Sequence, residues 1–435
     1  MVVALSVEQG VNRLVVETEN KQVVDALNFP EQDCEPALTR RVRQEPNGAR
    51  GLRQGDPLSS FIFFLAMHVL SKMLNLAATK RVFGYHPKCK RIGLTHLSFA
   101  DDLMIFCKGN ADSIMGILIV LDHYNEISGL HLNSSKCEIF IAGCSSRTLD
   151  FFQQITGLKN GSLPVRYLGI PLVTRKLTEK YCAVLIDKIK QRLHHWSNRD
   201  LSYAGRLELI RSVLFSVSNY WYRHLILPHS ILLKVDQLCS RFFWKGEEKA
   251  VAGARVNWEF IYFLKAEGGL GLKNTKTWNK ACTIDLIRKI LVGDGSLWVA
   301  WLKFYIFKEH EFWNYVAGSN VRWNINRMLK MHPTVFPIFS TSDSLRLRDI
   351  WDSIRNKREK VSCHKLIWFP LHIPKFSLIA WMALLNRLPT RDRLLKMGIN
   401  TEWTCVNCSN DQETRNHLFT QCTLVFSSLE LHSAA

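Results

Sequence analysis

The chain has 435 residues, with 57 Lys plus Arg against 38 Asp plus Glu, giving a formal net charge of +19. At 47% hydrophobic and 22% charged residues its composition is that of ordinary folded protein, which excludes bulk disorder and collagen-like repeats, and its length predicts two to four domains. So large a positive excess points to a polyanionic partner, either nucleic acid bound through phosphate neutralisation or an anionic membrane surface.

In chain order, residues 1–28 read as a strand and a helix: 13–17 is a short β-prone run and 21–27 can start a helix. No basic stretch opens the chain, and Glu8 arrives before an apolar core can build, so no secretory signal is expected and the protein is expected inside the cell. Residues 29–47, with three prolines and mixed charge, read as a junction. A helix is expected after Pro57, because Asp56 suits an N-cap and Pro the first helical position. A hairpin follows around Asp101, then a helix over 111–127 and strands near 137–142, an α+β pattern that runs to about residue 175. The longest uninterrupted apolar runs, 61–67 and 114–121, fall short of the ~20 residues that span a bilayer, so neither a membrane helix nor a membrane partner is expected. From Thr178 onward helical periodicity dominates; Leu207, Ile210, Val213, Leu214 and Val217 have the spacing of one helix face. The Gly-rich stretch 267–271 breaks the second half, 333–342 reads as a linker, and the segment from about Val361 ends in a Cys/His cluster.

Three constellations carry chemistry. In Arg50-Gly51-Leu52-Arg53-Gln54-Gly55-Asp56-Pro57 the glycines leave backbone amides accessible beside a positive helix end, where a phosphate can lie; the plainer alternative is a structural cap. In Leu97-Ser98-Phe99-Ala100-Asp101-Asp102-Leu103-Met104-Ile105-Phe106, apolar runs flank two adjacent carboxylates at a hairpin tip. Such a pair can hold hard divalent cations that bridge phosphates, or it can be a solvated turn. Cys405, Cys408, His417 and Cys422 lie within 18 residues and suit tetrahedral zinc at a closed structural site. Most of the twelve cysteines are scattered and read as reduced core thiols; Cys363 and His364 read as structural. Lys188, Lys190, Arg192, Arg199, Arg206 and Arg211, with His194, His195 and Trp196, form either a phosphate-tracking surface with an aromatic plane or a solvated helix face. The 355–360 run is either a solvated basic face or a nuclear import signal.

Together and in this order, the first two motifs resemble the latter part of a reverse transcriptase from a plant LINE-type (non-LTR) retrotransposon. Gly129-Leu130-His131-Leu132-Asn133-Ser134-Ser135-Lys136 is similar to that family's Gly-Leu-x-Ile-Asn-x-x-Lys segment, and Tyr167-Leu168-Gly169-Ile170-Pro171-Leu172 to its primer-gripping hairpin. Leu201 to Arg206, Phe242 to Gly246 and Gly268 to Gly271 are similar to its thumb and the region behind it. Phe376 to Trp381 and Arg387 to Asp392, before the Cys/His cluster, are similar to its zinc-binding module. Residues 15–27 resemble part of a plant ribonuclease H domain, with Glu19 standing where that family carries a catalytic Asp.

The resemblance implies an α+β fold: a ribonuclease H-like fragment (1–28), a junction (29–49), a partial palm (50–175), a helical thumb and connection region (176–340) and a zinc-binding domain (341–435). It implies RNA-directed DNA polymerase activity in the nucleus, on an RNA template and a DNA primer. Asp101 and Asp102 would hold Mg²⁺ or Mn²⁺, with Phe99 and Ala100 beside them; Arg53, Gln54 and Gly55 would position template and nucleotide, and Lys136 would neutralise the leaving pyrophosphate. Lys188, Lys190, Arg192, Arg206 and Arg211 would track nucleic acid, and Cys405, Cys408, His417 and Cys422 would bind Zn²⁺. The family also carries a third carboxylate on an earlier palm strand. None of the first 49 residues reads as that strand, since Asp25 and Asp33 lie in the ribonuclease-like stretch and the junction. The expectation is therefore a truncated, catalytically impaired polymerase; the alternative is a non-catalytic nucleic-acid-binding remnant with a structural zinc site.

Overall fold

The computed structural model describes residues 2–6, 57–141, 146–173, 176–197, 199–246, 255–308, 310–316, 318, 323–340, 345–425 and 427. The chain divides into two compact units, Met1–Arg175 with Gly293–Val321, and Lys176–Val292 with Arg322–Ala435.

The first unit is built on a five-stranded sheet of order β2–β3–β1–β4–β5. β2 (His96–Phe99) and β3 (Asp102–Phe106) form the expected hairpin, with Phe99 opposite Asp102. β1 (Val2–Ser6) lies antiparallel to β3, from Val2 opposite Phe106 to Ser6 opposite Asp102, and its other edge pairs with β4 (Glu138–Phe140). β5 (Lys159–Asn160) runs parallel to β4. Helices α1 (Pro57–Thr79) and α2 (Ala111–Ser128) supply Leu70, Leu74, Ile114, Ile117 and Leu121 to a core shared with Leu103, Ile105 and Ile139. The two helical segments approach closely at Gly116, where the Val82 carbonyl leaves no room for a Cβ. α3 (Ser146–Thr156) adds Phe152, and a second hairpin, β6 (Val165–Tyr167) and β7 (Ile170–Leu172), turns through Leu168 and Gly169, both at positive φ.

Two expectations are corrected here. A strand of the first 28 residues does occupy the central place of the five-stranded sheet, as β1. It is formed by residues 2–6 rather than by the β-prone run at 13–17, which lies outside the described residues, as do the helix expected at 21–27 and the junction. α1 is also long and apolar enough, by length and composition, to cross a membrane, because the isolated polar residues that interrupt its apolar runs do not lower its overall apolar content. One of its faces, including Leu70 and Leu74, is buried in the core of the first unit.

The second unit is helical. Its main helices are Glu179–Ser197, Tyr203–Leu209, Phe215–His224, His229–Lys245 and Thr275–Val292. Ser202 caps Tyr203–Leu209 by accepting the Gly205 N–H at 3.3 Å. A π turn over Ile210–Leu214 shifts the buried stripe, so Leu207, Ile210, Leu214, Ser218, Trp221 and Tyr222 are buried while Val213 and Val217 are only partly so. His332–Phe339, overlapping the expected linker 333–342, forms a helix instead, with Pro333 in the first turn, where its missing N–H costs nothing.

The Gly-rich stretch expected as a break is a joint. Its 3₁₀ turn, Lys265–Glu267, ends at Gly268 with φ 89°, and Gly269 lies so close to the Phe263 carbonyl that only glycine fits. Four segments bond to it. Arg211 Nη2 donates to the Leu270 carbonyl at 2.9 Å, the Val361 N–H to Ala266 at 2.9 Å and the Trp381 indole to Gly268 at 2.6 Å. Arg355 grips Glu267 with both guanidinium nitrogens, at 2.7 and 2.8 Å. The helix Leu347–Ile354 meanwhile packs Trp351 edge-on against Trp278, with ring centroids 6.1 Å apart. The segment from Val361 is thus tied to residues a hundred positions earlier.

The side chains of Arg355 and Glu267 are 9% and 7% exposed. Removing one partner of a buried pair strands the other, so Arg355→Ala should cost about 3–5 kcal/mol, and replacing both with apolar residues much less. The Arg355 guanidinium holds the Glu267 carboxyl below its usual range. The pair's contribution is therefore full above the unfolded carboxyl value of ~4.3 and is lost as pH falls through the lower folded value. Denaturant titrations across this window should show that loss in the wild type and not in Arg355→Ala.

Candidate active site and metal centre

The β2–β3 hairpin presents Asp101 and Asp102 at a two-residue turn whose first residue, Ala100, has φ 49°. A left-handed alanine costs roughly 1–2 kcal/mol, a local strain that persists because the paired strands fix the turn. Burial, and then the neighbouring Asp101 charge, pushes the Asp102 carboxyl up. Tyr167 from the β6–β7 hairpin approaches the same group: burial and the Asp102 charge push its phenol up. Phe99 and Ala100 are exposed beside the carboxylates. Lys136 is exposed on the 3₁₀ turn Ser134–Lys136, held by the Asn133 side chain, which accepts the Ser135 and Lys136 N–H groups. Arg53, Gln54 and Gly55 lie outside the described residues. The residue in register with Asp102 on β1 is Ser6, so this neighbouring strand brings no carboxylate to that position.

The basic residues expected to form one surface separate into two kinds. On the helix Glu179–Ser197, Lys188 and Arg192 are exposed and Lys190 half-buried. Trp196 is not an exposed plane: it is buried against Phe242, with ring centroids 5.8 Å apart. Arg206 and Arg211 serve as struts. Arg206 lies over the Tyr203 ring and donates to the Phe243 carbonyl, while Arg211 donates to Leu270 and pairs with Glu208 at 3.5 Å.

The second centre is compact. The ligand atoms of Cys405, Cys408, His417 and Cys422 all lie within 4.8 Å of one another, with Cys405, His417 and Cys422 buried. Cys408 Sγ is 3.3 Å from His417 Nε2, and His417 Nδ1 faces the exposed Asp411 carboxylate at 3.9 Å, beyond hydrogen-bond distance. The N–H groups of Asn410 and then Asp411 bring the Cys408 thiol down to about 6, whereas burial pushes the Cys405 thiol up. The knuckle is closed by the Cys405 N–H donating to the Asp411 carbonyl at 2.7 Å and by the Cys422 N–H donating to His417 at 2.8 Å.

Sequence reasoning missed Glu413, a buried carboxylate that braces this centre. Its oxygens accept the Arg391 and Val406 N–H groups, each at 3.1 Å, and its backbone bonds to Trp403 and Asp392. Arg391 in turn donates to the Thr404 carbonyl at 2.7 Å. No periodicity or ligand spacing marks Glu413, since its hydrogen-bond partners are backbone N–H groups and its ion-pair partner, Arg391, lies 22 residues away in sequence. Glu413→Ala leaves two N–H groups without their acceptor and should cost roughly 1–3 kcal/mol, measured as denaturation of the metal-loaded chain.

Residues 12–172 match the family described as reverse transcriptase (RNA-dependent DNA polymerase), and residues 346–427 match the family described as zinc-binding in reverse transcriptase. The first match begins inside the stretch expected as a ribonuclease H fragment and crosses the expected junction. The chain is 33% identical over 248 residues to a retrovirus-related Pol polyprotein from a type-2 retrotransposable element of Drosophila melanogaster, covering 52% of this chain and 21% of that protein. It is 30% identical over 129 residues to a putative ribonuclease H protein of Arabidopsis thaliana, covering 30% and 21%. To an uncharacterized transposon protein of Xenopus laevis it is 24% identical over 253 residues, covering 57% and 18%. It spans about a fifth of the length of these relatives. The chain therefore carries a reverse transcriptase domain of retrotransposon type, followed by the zinc-binding domain found in reverse transcriptases.

Proposed function

We propose that this chain derives from the RNA-directed DNA polymerase of a plant LINE-type (non-LTR) element, acting on nucleic acid in the nucleus, and that its palm is catalytically impaired. The observation that carries the second part is the register of β1, which pairs Ser6 with Asp102 and so sets a neutral residue beside the acidic hairpin. Asp101 and Asp102 fit a divalent cation as adjacent carboxylates, Asp102 being pushed up by burial and then by its neighbour's charge, both of which a bound cation offsets. Bound Mg²⁺ or Mn²⁺ would neutralise the triphosphate of an incoming nucleotide. The chain's own residues do the positioning: Arg53, Gln54 and Gly55 at the template and nucleotide, Lys136 at the leaving pyrophosphate, the Tyr167 hairpin at the primer end. Two-metal chemistry needs anionic donors enough to clamp both ions, and among the described residues the strand beside the hairpin adds none opposite Asp102.

Primer extension on an RNA template with Mg²⁺ or Mn²⁺ should give no incorporation above that of Asp101→Ala, and Ser6→Asp should tighten Mn²⁺ binding and raise incorporation. Wild-type incorporation that vanishes in Asp101→Ala would mean that another acid completes the site.

A non-catalytic role in binding nucleic acid is the second reading, favoured by the exposed Lys188 and Arg192 on one helix. Both readings include structural zinc at Cys405, Cys408, His417 and Cys422: three thiols and an imidazole gathered this tightly fit a tetrahedral ion. The purified chain should contain one zinc, lost in Cys408→Ser and His417→Ala together with the local fold, because structural zinc supplies ~10–16 kcal/mol in finger-like peptides. Full metal retention by both variants would refute the assignment.

A further inference from the structure

We propose that residues 357–376 form a binding surface for single-stranded nucleic acid, a stacking platform separate from the palm residues and from the basic helix Glu179–Ser197. It rests on the reading that this chain handles nucleic acid, and it assigns where and how part of that binding is made.

Charge is the first support. From 355 to 376 there are six Lys or Arg and a single acid, Glu359. Arg355 is committed to Glu267, and Lys357 to Asp352 at 2.7 Å. Lys360, Lys365 and Lys375 are exposed, and Lys265 joins them from the joint, its Nζ 4.2 Å from the centroid of the Trp368 ring. Burial, and then the nearby Arg211 charge, brings the Lys265 ammonium down, against the opposing charge of Glu208.

Exposure is the second. Between the helices His364–Ile367 and Pro374–Leu384 the chain offers Phe369 at 49% exposed and Leu371 at 97%, and the first turn of the second helix adds Phe376 at 59%. Apolar and aromatic groups left in water, rimmed by cations, mark an interaction site. A second copy of this chain would bring the same positive charge against it. An anionic membrane is served by a long amphipathic helix, whereas Pro370 and Pro374 interrupt this segment. Single-stranded nucleic acid satisfies both features, because phosphates take the cations and bases stack on the rings whatever their sequence.

Preorganisation is the third. The two prolines fix their own φ, Leu371 is held at φ 69°, and the His364 and His372 rings each bond a carbonyl three residues back, at 2.7 and 2.8 Å. Below them the Trp381 indole bonds to Gly268 and the Val361 N–H to Ala266. A backbone already held in place loses little freedom on binding.

The test is fluorescence anisotropy of the full chain with a labelled single strand across a salt series, with far-UV circular dichroism and zinc content checking each variant's fold. Phe369→Ala with Phe376→Ala should weaken binding about fivefold or more per ring and leave the salt slope unchanged, while Tyr at both positions restores it. Lys365→Ala with Lys375→Ala should reduce the slope of log K against log salt by about 1.4, at ~0.7 per phosphate contact. If the wild type binds and both pairs of variants bind equally well, the platform is wrong while the broader nucleic-acid reading stands. If the wild type binds no strand, both fall. Loss of binding to phosphatidylserine vesicles, or of self-association, in the ring variants with strand binding intact would assign the surface to a membrane or to a second copy and overturn the proposal.

Discussion

The bidentate pair between Arg355 and Glu267 is the interaction on which the second unit depends. Two charges taken out of water are costly, and their attraction offsets that cost only when the remaining hydrogen-bonding capacity is filled. Here it is: Glu267 also accepts the Leu264 N–H at 3.2 Å, and Arg355 also reaches Asp352 at 2.7 Å. The pair fixes the turn that ends at Gly268, and that turn exposes carbonyls to Arg211, Val361 and Trp381. The helices of the second unit and the segment from Val361 are consequently tied at one turn. The Cys/His centre, braced by Glu413 and Arg391, fastens the far end of a segment whose near end is fastened by charge.

In the first unit the sheet and the chemistry make separate demands. β1 needs only backbone groups free to pair on both edges and an apolar run compatible with a central strand, and Val2-Val3-Ala4-Leu5 meets that. A serine where it pairs with Asp102 does not disturb the ladder. A sheet of this kind can therefore keep its fold, its strained Ala100 turn and its two carboxylates whatever side chain β1 sets opposite Asp102.

Residues whose partners are close in sequence were legible. The hairpin showed itself by apolar runs around two aspartates, α2 by spacing that ended one residue short of the observed Ser128, and the Cys/His centre by ligand spacing alone. Residues defined by distant partners were not. β1 is a four-residue apolar run whose significance lies in strands formed about a hundred residues later. Gly268 and Gly269 signalled a turn, but nothing local says that an arginine, an indole and an amide from three other segments would converge on it. The π turn at Ile210–Leu214 displaced Val213 and Val217 from the buried stripe because it inserts an extra residue into a period that pattern reading takes as constant.

The same distinction governs the charge. A formal +19 suggests a surface paved with phosphate contacts, yet several guanidinium groups are turned inward. Arg206 bonds to Phe243, Arg211 to Leu270, Arg391 to Thr404 and Arg355 to Glu267. Arginine suits that work because its planar fork can satisfy two acceptors at once and remains ionised when half-buried. Each such residue keeps its formal charge but gives up its geometry, since a donor held by a carbonyl cannot also close on a phosphate. Flexible lysines are freer to do so, and Lys188, Lys360, Lys365 and Lys375 all stand in solvent. Net charge therefore sets the long-range attraction for a polyanion, whereas the number of ions released on binding is set by the smaller group of cations that the fold has not already used.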